Sequence, residues 1–237
     1  MIGWILRKIF GTQNERTLRR VPVDHVESSW LLTSFFDVAR SSEASPLTKR
    51  LIDLAVAVVL MVLGLLLTPF IVLAILLEGG GPVLYRQPRL GRGGRAFVLT
   101  KFRTMTNDAE PDGQPQWSAP GDRRVTRVGR LLRRTRLDEL PNLLSVLRGD
   151  MSMVGPRPER PEFVTQLERE VPFYRARLVV PPGLTGWAQV NSPYGDSVKD
   201  AAVKLEYDLY YIKHQSPWFD ALILARTVGT MLRFGGR

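Results

Sequence analysis

The chain has 237 residues, a length suited to one or two domains. It carries 33 Lys and Arg against 23 Asp and Glu, a formal net charge of +10, with 44% hydrophobic residues. This is the composition of a folded chain, not of a disordered tail, and the excess positive charge points to a membrane surface, nucleic acid or a phosphorylated substrate. With 0 Cys there is no disulfide frame, thiolate nucleophile or zinc ribbon, and the 2 His, His25 and His214, stand too far apart in the chain to favour a Ser/His/Asp triad or a His-rich metal site.

Residues 1–46 form an N-terminal extension. Met1 to Phe10 is a short apolar run broken by Arg7 and Lys8, which reads as an interfacial amphipathic piece or a frayed terminus. Leu54 to Leu77 carries no charge at all. As a helix it would be about 36 Å long at ~1.5 Å per residue, enough for a bilayer core of ~30 Å. It lies too far along the chain for a signal peptide and has no small-residue cleavage site behind it. A buried helix of a soluble protein is rarely apolar on every face.

Two features oppose a plain span. Lys49 and Arg50 precede the segment, and Arg86, Arg89, Arg92, Arg95, Lys101 and Arg103 follow it, so both flanks carry the cytoplasmic signal. Thr68-Pro69 interrupts the run: Pro69 lacks an N–H and its ring crowds the Leu65 carbonyl, while the Thr68 hydroxyl can reach back one turn. A re-entrant hairpin over 47–78, broken at Thr68-Pro69, satisfies both features; a kinked span is the alternative.

The polar remainder, 79–237, reads as one domain. After the breaker cluster Gly79-Gly80-Gly81-Pro82, Val83-Leu84-Tyr85 is a short strand, Gly91-Arg92-Gly93-Gly94 a turn, and Ala96 to Met105 a second strand, giving a hairpin. Alternation puts Phe97, Leu99, Lys101 and Arg103 on one face, the two cations suiting an anion at the membrane edge or merely a solvated strand end. Asn107 to Gly121 is a loop. Val125 to Arg136 is a basic helix with Arg127, Arg130 and Arg134 along one side, fit for phosphate or anionic headgroups or simply solvated.

In Thr135 to Gly149, Gly149 suits a helix C′ position, and Pro141 is tolerated only in a first turn, so the helix should begin near Asp138 with Leu140, Leu143, Leu144 and Leu147 buried. Asp138 and Glu139 then stand at a helix N-terminus beside arginines. Both influences lower a carboxylate pKa, and an ionised carboxylate beside a phosphate calls for a cation such as Mg²⁺. An N-cap Asp followed by a dipole-friendly Glu is the plainer account. Further on, Pro156 and Pro158 fix Arg157 for rigid display to a phosphate or base, unless the segment is only a proline-rich loop. Pro181 to Asn191 is a turn leading into a short apolar stretch. Asp200 to His214 is a helix with Leu205, Leu209 and Ile212 inward, and Trp218 to Phe234 an amphipathic helix with Trp218 and Phe219 as interface anchors. The fold class is α+β: a re-entrant membrane hairpin plus a mainly helical cytosolic domain with a small β-hairpin and amphipathic interfacial helices.

KFRTM at Lys101–Met105, LDELPNLLSVLRGDMSMVGPRPE at Leu137–Glu159 and PGLTGWAQVN at Pro182–Asn191 resemble the bacterial sugar transferases, the monotopic polyprenyl-phosphate phosphoglycosyl transferases. The resemblance runs from about Pro46 to the C-terminus, with the three motifs in order behind the membrane segment. It implies transfer of a sugar-1-phosphate from a UDP-sugar to a polyprenyl phosphate, typically undecaprenyl phosphate, with Mg²⁺ and release of UMP. It further implies Asp138 as nucleophile of a covalent phospho-sugar intermediate, and Glu139 as Mg²⁺ ligand. Arg157 and Pro158 match the part that holds the uridine nucleotide, and Lys101, Arg103 and Arg133 the phosphate-binding positions. The expected location is the cytosolic face of the bacterial inner membrane, in contact with its lipid, serving exopolysaccharide or glycoconjugate synthesis; a homodimer stays open. Asn191-Ser192-Pro193-Tyr194-Gly195 departs from the Asn-Gly common after the GWAQV segment, which bears on sugar preference. The rival function is a non-catalytic basic protein at the membrane surface binding anionic lipid or nucleic acid. Adjacent carboxylates inside an arginine patch argue against it, and the hydrophobic segment disfavours nucleic acid.

Overall fold

The long apolar segment forms helix α1, Pro46–Gly79, in a computed structural model that describes residues 46–109, 121–192 and 197–232. The expected interfacial piece at Met1–Phe10 lies outside the described residues. Over Leu47–Gly79 the mean hydropathy reaches 2.9 and 17% of the most apolar window is buried; by length and composition this helix can cross a membrane. The assignment runs unbroken through Pro69, so two separate helices are not seen. The Thr68 hydroxyl does reach back one turn, donating to the Gly64 carbonyl at 2.9 Å.

One stripe of α1 is covered and the rest is bare. Asp53, Ala57, Gly64, Ile71 and Ile75 are buried, while Val59, Leu66, Phe70 and Leu77 on other faces are exposed. Gly64 makes room for Leu140, whose Cδ2 would stand 3.0 Å from an added Cβ. Both ends of α1 are tied to the polar domain. Arg50 donates to the Val146 and Leu147 carbonyls at 2.6 and 2.8 Å, satisfying the end of helix α3, Leu143–Arg148. At the far end the Glu78 carboxylate accepts the N–H groups of Arg127 and Val128 at 2.6 and 2.9 Å, at the start of helix α2, Arg127–Thr135.

Strands β1, Leu84–Leu90, and β2, Ala96–Phe102, form the expected antiparallel hairpin, with Tyr85 opposite Lys101 and Gln87 opposite Leu99. β1 is longer than the three residues foreseen, and β2 stops before Met105, which instead bridges to Val125. Alternation therefore does not extend to Arg103. A second, parallel pair joins β3, Ser152–Val154, to β4, Gly183–Thr185. The backbones at Gly155 and Gly183 approach so closely that a Cβ on either would meet backbone atoms of the other segment.

The arginines of α2 divide as foreseen: Arg127, Arg130 and Arg134 are exposed. The following segment differs. Leu137–Asn142 is a 3-10 turn containing Pro141, and the α-helix begins only at Leu143. The rephased helix buries Leu143 and Val146 and leaves Leu144 47% exposed, so Leu144 is not part of the buried stripe. Gly149 closes α3 at φ 95°.

Helix α4, Pro161–Glu170, a 3-10 turn at Tyr174–Val179 and helix α6, Val198–Lys213, build an apolar core from Val164, Leu167, Val171, Tyr174, Ala201 and Leu205. Helix α5, Trp187–Asn191, and helix α7, Pro217–Leu232, complete the described chain. Trp218 is 73% exposed. Phe219 is not an anchor: its ring centroid lies 4.9 Å from that of Trp187 and 5.8 Å from that of Tyr211, inside an aromatic cluster. A buried polar hub pins α1 to this layer. Lys49 donates to Asp220 at 2.7 Å and to the Val154 carbonyl at 3.1 Å; Asp53 accepts the Met153 N–H at 3.0 Å; Tyr211 donates to Asp220 at 2.8 Å.

Candidate active site

Asp138 and Glu139 are adjacent and both buried, at 5% and 6% exposure, in the first turn of the 3-10 segment. Arg136, the preceding cap, is in the left-handed region at φ 59°, and this bend turns the two carboxylates inward. Three cations converge on one oxygen, Oε1 of Glu139: Arg157 Nη2 at 2.8 Å, Lys101 Nζ at 3.2 Å and Arg136 Nη1 at 3.9 Å. Among the described residues none donates a hydrogen bond to the Asp138 carboxylate; Lys101, Arg157 and Arg133 act on it at longer range.

The two carboxyl groups are driven apart. Burial pushes both up. At Glu139, Arg157, Lys101 and Arg136 outweigh that effect and hold it well below the usual carboxylate range. At Asp138 burial prevails over Lys101, the charge of Glu139 adds to it, and the pKa is raised. The expectation that helix dipole and arginines would lower Asp138 is thus corrected, because the cations are spent on its neighbour. Arg157 is raised, chiefly by Glu139, and Lys101 is lowered, chiefly by burial.

Lys101, Glu139, Asn142, Arg157 and Pro158 line one void of about 10 Å³, together with Arg89. Sequence-predicted Lys101, Arg157 and Pro158 therefore meet Glu139, and Asp138 is beside them in the chain. Arg133 approaches from α2, where its Nε donates to Thr104 at 2.9 Å. Arg103 is elsewhere: it bonds the Gly80 carbonyl and the Asn107 side chain at the loop after α1. Thr68 and Pro69 remain in α1, apart from the void's lining.

Several residues were not foreseen. Arg177 is buried and donates to the Arg157 carbonyl at 2.9 Å, the Tyr174 hydroxyl at 2.8 Å and Asp208 at 2.9 Å, fixing the backbone that carries Arg157. A hint existed in α6, where Asp208 interrupts the inward positions Leu205 and Ile212. Arg136 and Asn142 also border the carboxylates, and nothing in their spacing set them apart.

Asp138 and Glu139 are the adjacent buried carboxylates that could hold a divalent cation, with Oε1 of Glu139 already facing three cations. Among the described residues no group of three or more His, Cys, Asp or Glu gathers to hold a metal. Mg²⁺ needs no such group, since it is commonly held by one or two carboxylates together with substrate phosphates.

The family model described as bacterial sugar transferase matches residues 44–234, and the chain belongs to that family. It is 42% identical over 225 residues to the UDP-N-acetylgalactosamine-undecaprenyl-phosphate N-acetylgalactosaminephosphotransferase of Aeromonas hydrophila, covering 94% of this chain and 52% of the relative. It is 43% identical over 218 residues to the UDP-glucose:undecaprenyl-phosphate glucose-1-phosphate transferase of Caulobacter vibrioides, covering 91% and 81%. The protein of that same description in Escherichia coli is 40% identical over 189 residues, covering 79% and 40%. The chain thus spans about half of the Aeromonas relative and most of the Caulobacter one.

Proposed function

We propose that this protein transfers a sugar-1-phosphate from a UDP-sugar to a polyprenyl phosphate, undecaprenyl phosphate in its bacterial setting, and releases UMP. The observation that carries this reading is the divergence of Asp138 and Glu139: one carboxylate saturated by cations, its neighbour buried without a bonded donor. A carboxylate of raised pKa is the better nucleophile, and carboxylates do serve as phosphoryl acceptors. Family membership and the names of the relatives support the substrate classes. Those relatives differ in sugar, so the reading stops at UDP-sugar.

In this reading an Asp138 oxygen attacks the β-phosphorus. The bond from that phosphorus to the bridging oxygen breaks, and UMP departs with that oxygen. The sugar-phosphate stays on Asp138 as an acyl phosphate. A phosphate oxygen of the polyprenyl phosphate then attacks the same phosphorus, expels the carboxylate and yields the polyprenyl diphosphate-sugar. Arg157, braced by Arg177 and flanked by Pro158, orients the nucleotide, and Lys101 and Arg133 balance phosphate charge. Arg103 would meet phosphate only by leaving its loop contacts. Glu139, with Asp138 beside it, would hold Mg²⁺, which when bound neutralises charge on the diphosphate.

The same reading places 47–78 as a re-entrant membrane element and 79–237 as a catalytic domain on the cytosolic face of the inner membrane. Its support is that α1 is anchored to one polar domain at both ends, through Arg50 and through Glu78. A straight span would carry those ends to opposite sides.

The test omits the lipid acceptor. Protein mixed with a panel of UDP-sugars and Mg²⁺ should release about one UMP per site, as covalent catalysis requires. The peptide containing Asp138 should gain the mass of a sugar-phosphate. UMP release only after polyprenyl phosphate is added, with no adduct, would establish a direct displacement.

A further inference from the structure

Asn142 closes the 3-10 turn that carries Asp138 and Glu139, and it is 1% exposed. Its Oδ1 accepts the Thr100 N–H at 3.0 Å, and this bond fixes which end of the amide is oxygen and which is nitrogen. The Nδ2 end is buried and has no partner. A buried amide left unpaired is costly, and a native site seldom retains one without a use. Asn142 lines the same void as Glu139, Lys101 and Arg157, and Arg89, also on that void, has a buried Nε with no partner. Two unsatisfied donors thus belong to residues that line a void already walled by cations. At about 10 Å³ it has room for one atom of water size, such as a single phosphoryl oxygen, and its donors and cations favour an acceptor there.

We propose that Asn142 is a substrate-contacting residue whose Nδ2 donates a hydrogen bond to an oxygen of the phosphoryl group attacked by Asp138. This rests on the transferase reading above. The neutral amide adds a donor at fixed geometry without adding charge. Being held by Thr100, it needs no rearrangement as charge develops on the phosphoryl oxygens, which is the condition for electrostatic stabilisation of a transition state.

Two variants separate this role from a structural one. Asn142→Asp keeps an acceptor for Thr100 N–H and replaces the donor with a second acceptor. Asn142→Thr removes the Nδ2 donor without adding charge; its one hydroxyl, on the shorter side chain, stands on the Thr100 side, where it can accept, and not where Nδ2 stood. Asn142→Thr should melt close to wild type, while Asn142→Asp, which buries a further carboxylate, should melt lower yet remain folded at assay temperature. Both should bind UDP-sugar at least tenfold more weakly while binding UMP, which lacks the β-phosphoryl group, as wild type does. Adduct formation in the acceptor-free reaction should slow at least as much. If Asn142→Thr binds UDP-sugar like wild type, Nδ2 contacts no phosphoryl oxygen and the proposal fails; an effect confined to Asn142→Asp would then be charge repulsion. An equal loss of UMP and UDP-sugar affinity would also overturn it. The binding arm needs no turnover, so it decides the point even if wild type proves to form no adduct, the result that would sink the covalent reading instead.

Discussion

Arg157 donates from Nη2 to Oε1 of Glu139 at 2.8 Å, and its own carbonyl accepts from Arg177 at 2.9 Å. The guanidinium is therefore held at both the side chain and the backbone, yet the side chain is still 38% exposed and within reach of a ligand. Arg157→Lys should not be mild, because a flexible ammonium replaces a planar fork that can hold two acceptors. The expected loss is about 1–3 kcal/mol in UDP-sugar binding, the scale of one charge-assisted hydrogen bond. Titration calorimetry that found equal affinities would make Arg157 a structural residue.

Glu139→Gln should destabilise the protein, because Lys101, Arg136 and Arg157 lose their shared anion. Breaking a buried pair costs about 3–5 kcal/mol, and the exposure of Arg157 argues for the lower end. The sign with pH follows from a folded pKa held below the ordinary 4.5. The stabilisation is fully present above that value and is lost as pH falls through the folded pKa. Thermal melts of wild type and Glu139→Gln should therefore differ most at neutral pH and converge in acid. The same change should weaken Mg²⁺ binding, so that activity falls and excess metal restores part of it.

Asp138 has the opposite sign. Its folded pKa lies above the ordinary 3.8 because burial disfavours the ionised form. The folded state then binds the proton more tightly, stability falls as pH rises between the two pKa values, and a fixed penalty remains above both. Asp138→Asn should abolish adduct formation and yet melt higher than wild type at neutral pH, the gap closing below pH 3.8. In wild type the rate of UMP release should fall with acidification around a midpoint above that value. A variant that melts lower at neutral pH would show that the cations, not burial, dominate Asp138.

The β-hairpin, the basic α2 and the apolar α1 were legible from periodicity and composition, and the meeting of Lys101, Glu139 and Arg157 only through the family resemblance of their motifs. What escaped depended on where one element hands over to the next. Pro141 marked a turn correctly but not its type; a 3-10 turn delayed the helix to Leu143 and rotated Leu144 outward. Arg103 seemed to share a face with Lys101 only if β2 ran on past Phe102. Phe219 adjoins Trp218 in sequence, but the aromatic rings of Trp187 and Tyr211, distant in the chain, claimed it. The sign of the Asp138 shift required knowing which of two neighbouring carboxylates the cations would choose.

Lys49→Met should loosen α1 from the domain. Asp220 loses its 2.7 Å partner, and Asp53, 3.8 Å from the same ammonium, loses its counter-charge. Leaving buried carboxylates uncompensated costs about 3–5 kcal/mol. Adding Asp220→Asn should recover part of the loss, because an amide needs no counter-charge and can still accept from Tyr211. Unfolding in lipid nanodiscs provides the comparison; a double variant no more stable than Lys49→Met would mean that the hub acts by packing alone.

The topology of α1 gives the last prediction. A straight helix over Pro46–Gly79 would be about 50 Å long at ~1.5 Å per residue, well beyond a ~30 Å hydrocarbon core. Yet Arg50 near one end caps α3, Glu78 near the other caps α2, and Gly64 between them packs on Leu140 of the same domain. Keeping that domain in water requires both ends on one side, and Pro69 with the Thr68–Gly64 bond is where the helix can bend. The chain has 0 Cys, so single reporters are clean. Thr48→Cys and Leu84→Cys should both resist an impermeant thiol reagent in intact cells and both react after permeabilisation. Labelling of one alone in intact cells would establish a span. Pro69→Ala removes the ring that crowds the Leu65 carbonyl and restores an N–H to the ladder. If the domain contacts are the stronger restraint, Pro69→Ala leaves both reporters protected; combined with Arg50→Ala, which frees one end, it should expose Thr48→Cys. Protection that persisted in the combined variant would show that neither Pro69 nor the Arg50 cap determines the topology.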